Sequence, residues 1–206
     1  MKIPLKDVTL EGDLQVPKDA VGIVIFAHGS GSSRKSPRNK MVAEEIVNAG
    51  HATLLFDLLT EEEDTVYERR FDIPLLADRL MRVAHFIEKH PETKGLKIGF
   101  FGASTGAAAA LEAAALMKRD VAAVVSRGGR PDLAGAALPQ VTAPTLLIVG
   151  GNDAQVIVLN EQAYAQLGCE KKMDIIEGAS HLFEEPGCLA QVSNLAVKWF
   201  TKCFLK

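Results

Sequence analysis

Leu96-Lys97-Ile98-Gly99-Phe100-Phe101-Gly102-Ala103-Ser104-Thr105-Gly106 runs directly into the alanine-rich segment Ala107 to Met117. The first half is an apolar run with the length of a buried strand, and the second half is helix-forming. Between them lies G-x-S-x-G, so a strand meets a helix at a corner that carries a serine. That context is what a nucleophile elbow requires. The turn is sharp enough to strain the serine backbone, and small residues two positions to either side let strand, turn and helix approach closely. The hydroxyl then stands clear of the sheet near a helix N-terminus, where developing negative charge is favoured.

Working outward, further apolar runs alternate with helical periodicities. Val21 to Ala27 reads as a strand buried on both faces and Val121 to Val125 as another buried strand; Ala52 to Phe56, Pro144 to Gly150 and Met173 to Ile176 read as further strands. Helices are predicted over Pro37 to Asn48 with Gly50 as C-cap, over Asp72 to His90, over Val156 to Leu167 and over Leu189 to Phe204. Val8 to Val16 alternates around Gly12-Asp13 and predicts an N-terminal hairpin turning at that pair. Glu61-Glu62-Glu63-Asp64 reads as a solvated loop. Alternating strands and helices imply an α/β fold with a mostly parallel central sheet covered on both faces. No insertion is long enough for a separate lid, so residues 1–206 are expected to form a single domain.

Composition narrows the function classes. With 48% hydrophobic residues in 206, the chain supports a substantial core. A net charge of -3, without basic runs interleaved with aromatics, argues against nucleic-acid binding. There is no apolar N-terminal leader and no stretch long enough to span a bilayer, and Cys169, Cys188 and Cys203 are too scattered for a disulfide framework or a zinc site. A cytoplasmic location is the simplest expectation. No metal-ligand spacing and no phosphate-cradling Gly-rich loop is present, so neither metal nor cofactor is expected. Oligomeric state is left open.

In a parallel sheet, ligands bind beyond the carboxyl ends of the strands. Ser104, Asp153 and His181 each follow a predicted strand at that edge, in the chain order Ser…Asp…His of the α/β-hydrolase triad. A serine hydroxyl needs a histidine to take its proton, and the histidine needs a carboxylate to set its tautomer and stabilise the imidazolium. Asp57 also follows a strand and is the alternative acid. The Thr105 N–H and the Ser30 N–H, the latter in His28-Gly29-Ser30, are the candidate oxyanion donors; the His28 imidazole is read as structural. Arg127, Arg130 and Arg34 lie on loops beyond strands and suit a substrate carboxylate. A salt-bridged loop that merely holds its own shape remains the alternative for them.

The blocks AHGSGSSRKSPRN, FDLLTEEE, GFFGASTGAAAAL, VVSRGGRPDLAG, PTLLIVGGNDAQVI and GASHLFEEPG resemble the dienelactone hydrolase-like branch of the α/β-hydrolases over essentially the whole chain. Some small bacterial hydrolases of that branch are joined to a phosphoribosyltransferase domain, for which these 206 residues leave no room. The resemblance implies a Ser104–His181–Asp153 triad, hydrolysis of a small carboxylic ester, lactone or thioester, and no cofactor. Dienelactone hydrolase proper uses a cysteine nucleophile. Ser104 in its place favours ordinary esterase chemistry. A ligand-binding module that has abandoned turnover, or an acyltransferase, would use the same scaffold.

Overall fold

A computed structural model describes residues 1–206. Eight strands form one sheet: β1 (Lys2–Pro4), β2 (Thr9–Gln15), β3 (Gly22–Ala27), β4 (Ala52–Phe56), β5 (Lys97–Ala103), β6 (Val121–Arg127), β7 (Thr145–Gly150) and β8 (Lys171–Ile176). Their spatial order is β1-β2-β4-β3-β5-β6-β7-β8, with β1 and β2 antiparallel to their neighbours and every later pairing parallel. The helices are α1 (Pro37–Asn48), α2 (Glu61–Asp64), α3 (Ile73–Lys89), α4 (Thr105–Met117), α5 (Ala154–Gln166) and α6 (Cys188–Phe204).

The apolar side chains divide between the two faces of the sheet. One core combines Ile23, Ile25, Phe100 and Val124 with α3, α4 and α5; the other combines Val24, Phe26, Phe101 and Val125 with α1 and α6. Strands sandwiched in this way must be apolar at consecutive positions, which is why they read as continuous runs. Helix α4 is buried on nearly all sides, and its alanines let it sit close over the centre of the sheet. No helix is long and apolar enough to cross a membrane.

Two expectations are corrected. Strand β2 does not turn at Gly12-Asp13 but runs through it, pairing with β1 on one edge and β4 on the other. The reversal lies earlier, where the Leu5 N–H donates to the Val8 carbonyl at 2.8 Å. Gly12 serves packing instead: a Cβ there would stand 3.0 Å from both Ile3 Cδ1 and Leu54 Cδ1. The acidic segment is the short helix α2 rather than a loop. Thr60 Oγ1 accepts the Glu63 N–H at 3.1 Å while the Glu63 carboxylate accepts the Thr60 N–H at 2.9 Å. This is a capping box, legible as Thr-x-x-Glu. Arg79 and Arg69 reach Glu63, and Arg70 chelates Asp64, so these two acids are paired while Glu61 and Glu62 stay exposed to solvent.

Candidate active site

Strand β5 delivers Ser104 to the carboxyl edge with φ 50° and ψ -122°, a left-side conformation rare for a residue with a side chain. Its neighbours hold it there. The Ser104 N–H donates to the Arg127 carbonyl at 3.3 Å, and the Ser104 carbonyl accepts from Ala107 N at 3.1 Å and Arg130 N at 3.0 Å. Gly106 is required by contact: a Cβ would lie 2.2 Å from the Ala27 carbonyl oxygen. The strand-to-helix corner therefore presses directly against the end of β3, and the His28-Gly29-Ser30 loop follows from that point. A Cβ on Gly29 would stand 3.0 Å from Ser104 Cβ, so this loop lies against the nucleophile position.

Asp153 begins α5 just beyond β7, and His181 lies in the loop after β8. Asp153 Oδ2 accepts from His181 Nδ1 at 2.6 Å, the distance of a charge-assisted bond. Nδ1 thus carries the proton and Nε2 is free to accept one. The two loops are stitched together: Asn152 N donates to the Ala179 carbonyl at 2.9 Å and Asn152 Nδ2 to the Gly178 carbonyl at 2.9 Å. The Ser180 N–H donates to Glu185 at 3.0 Å, which holds that carboxyl below its ordinary pKa and braces the histidine loop. Neither Asn152 nor Glu185 is singled out by the sequence, because each acts through a backbone contact that exists only once the loops are folded. Gly128 lies against the histidine, since a Cβ there would stand 2.9 Å from the His181 carbonyl oxygen and 3.7 Å from its Cε1.

Asp57 is elsewhere. Its carboxylate pairs with the Arg34 guanidinium and accepts the Arg34 N–H at 2.8 Å, so the alternative acid is committed to another partner. The same pairing answers for Arg34, which also meets Glu11 at 2.5 Å. Arg130 makes two bonds with Asp132, at 2.9 and 2.8 Å. Both are therefore held in ion pairs. Arg127 differs. It is buried, touches Asn39 at 3.4 Å and the face of Phe183 at 6.0 Å, and has no carboxylate partner. Burial, with Arg38 nearby, pushes its pKa down to about 10.

Ser30 also departs from expectation. Its N–H does not stand free but donates to Thr105 Oγ1 at 2.9 Å. Sequence reading considered the Thr105 backbone and overlooked its side chain. The structural role of His28 is explicit: Nε2 accepts the Leu58 N–H at 3.0 Å and Nδ1 bonds the Gly29 carbonyl at 3.0 Å. Burial lowers the pKa of His28, and of His51, below the ordinary 6.5. In that interval the unfolded chain binds more protons than the folded one, so stability is complete above pH 6.5 and is lost as pH falls through the lowered values. Thermal melts should show a lower Tm at pH 5 than at pH 7.5. His28→Gln, which can still accept the Leu58 N–H, should flatten that dependence; an unchanged slope would assign the acid sensitivity to other groups.

A sequence model described as the dienelactone hydrolase family matches residues 10–198. The chain belongs to the dienelactone hydrolase family. A crystal structure of dienelactone hydrolase from Anabaena variabilis ATCC 29413 is 56% identical, covers 98% of this chain and 96% of its own, and superposes with a TM-score of 0.96. Est1E from Butyrivibrio proteoclasticus shares the fold at a TM-score of 0.84, with 17% identity over 100% of this chain and 99% of its own. Two Mycobacterium tuberculosis proteins, from strains CDC 1551 / Oshkosh and H37Rv, are 56% identical over 193 residues, 94% of this chain. They are provisionally named phosphoribosyl transferases, and the chain spans only 44% of their length. The α/β-hydrolase fold, the absence of a separate lid domain and the hydrolase family all agree with the sequence reading.

Proposed function

We propose that the protein is a serine hydrolase acting on a small carboxylic ester, lactone or thioester through an acyl-enzyme. The observation that carries this reading is the 2.6 Å bond between Asp153 and His181 at the sheet edge where Ser104 occupies its strained corner. Ser104 attacks the carbonyl while His181 Nε2 takes its proton. Asp153 stabilises the imidazolium, and the Thr105 N–H receives the oxyanion. His181 then protonates the leaving group and afterwards activates the water that releases the acid. The transferase name of the mycobacterial relatives belongs to longer proteins, within which a hydrolase unit of this kind would account for the aligned 44%.

The test is turnover of short p-nitrophenyl esters together with labelling by a fluorophosphonate. Peptide mapping should place the label on Ser104. A protein that neither turns over nor labels is a binding module, and the hydrolase reading falls.

Arg127 is retained as the group that would meet an anionic substrate, because it is the one of the three arginines without a carboxylate on it. An uncompensated buried cation costs stability, so Arg127→Met should gain about 1–3 kcal/mol. It should also lose about tenfold in preference for carboxylate-bearing over neutral esters, roughly 1.4 kcal/mol. Equal effects on both ester classes would remove Arg127 from substrate contact.

A further inference from the structure

Oxyanion stabilisation requires donors that already point at the charge before it develops. The Ser30 amide donates to Thr105 Oγ1 at 2.9 Å, so one expected donor is already engaged. Thr105 is buried, with 4% of its surface exposed, and as a β-branched residue opening a helix it has little rotamer freedom. Swinging the side chain away to release the amide would require both room and an alternative rotamer.

The hydroxyl offers a route that needs no movement. Its oxygen accepts from Ser30, and its own proton has no protein acceptor. Thr105 lines a small cleft with Ser30, Leu59 and Arg70, and it follows Ser104 directly at the start of α4. A hydroxyl that accepts one hydrogen bond becomes a better donor of the next.

Building on the serine hydrolase reading, we infer that the Thr105 hydroxyl is itself an oxyanion donor, relaying the polarity of the Ser30 amide to the tetrahedral intermediate. The hole then consists of the Thr105 N–H and the Thr105 Oγ–H, with Ser30 behind the second. No proton is transferred in this step: the hydroxyl keeps its proton while the oxyanion forms and collapses. Thr105 is thus a catalytic residue through its side chain as well as its backbone.

The experiment compares Thr105→Val, Thr105→Ala and Thr105→Ser with the wild type on a p-nitrophenyl ester, and measures the rate of fluorophosphonate inactivation. Valine keeps the shape and removes the hydroxyl, alanine covers the case in which valine fails to fold, and serine restores the donor. The expected result is a fall of about 10²-fold in kcat for valine and alanine with KM little changed, as removal of one oxyanion donor produces. Inactivation, which passes through a similar oxyanion, should slow in parallel, and serine should recover most of both rates. If valine or alanine keeps or raises kcat, the freed Ser30 amide is the direct donor and the relay is wrong while the hydrolase reading stands. If the wild type neither turns over nor labels at Ser104, both fall.

Discussion

Ser104→Ala should reduce kcat on a short p-nitrophenyl ester by about 10⁴-fold or more, leaving at most the residual rate that binding and the oxyanion donors support. The effect is chemical rather than structural. Alanine has a Cβ like serine, so it meets the same positive φ of 50° with no new steric demand. The serine side chain also makes no cap bond to the helix it precedes, so its removal leaves no orphaned backbone group. The melting temperature should therefore stay within a few degrees of the wild type while turnover is lost. Measured together, rate and Tm separate the two effects. Retained turnover in a folded variant would mean that the nucleophile is not Ser104.

Asp153→Asn should lower kcat by about 10³–10⁴-fold with little change in KM. The loss follows from which nitrogen of His181 carries the proton. At present the carboxylate accepts from Nδ1 at 2.6 Å, leaving Nε2 to receive the serine proton. An asparagine can present its NH₂ to Nδ1, which favours the tautomer protonated on Nε2 and blocks proton acceptance at that atom. Even with its carbonyl oriented correctly, the neutral amide would not stabilise the imidazolium. Side chains of nearly equal size keep the packing intact, so the melting temperature should barely move. Kinetics across pH on the folded variant check this, and an Asp153→Asn enzyme within tenfold of wild type would mean another carboxylate serves His181. Asp57→Asn makes a control. It should leave kcat nearly unchanged, because its carboxylate is tied to Arg34.

Much of this architecture is local and therefore legible along the chain. The predicted bounds of α1, Pro37 to Asn48, coincide with the structure, because Ser36 accepts the Asn39 N–H, Pro37 opens the first turn and Gly50 follows the last at φ 87°. Strand β4 coincides too, since its five residues are all buried and bounded by polar ones. The elbow was legible for the same reason. The requirement for small residues at 102 and 106 arises within one turn of chain and its immediate neighbour.

Tertiary structure decided what depends on competition between partners. Asp57 and Asp153 both follow strands, and both types of carboxylate suit a histidine; Arg34 takes the first and His181 the second because strand order sets β4 and β7 on opposite sides of β5. Arg130 and Arg127 lie three residues apart, yet one finds Asp132 and the other is buried without an acid. Thr105 reaches Ser30 across 75 residues of sequence. Sequence by itself determined the alternation of strands and helices, the serine corner and the order of Ser104, Asp153 and His181, because backbone preference and apolar periodicity act over a few residues. Only the folded chain decided which carboxylate meets the histidine, which arginine lacks an acid and which hydroxyl takes the Ser30 amide, because ion pairs and hydrogen bonds are chosen by distances between segments remote in sequence.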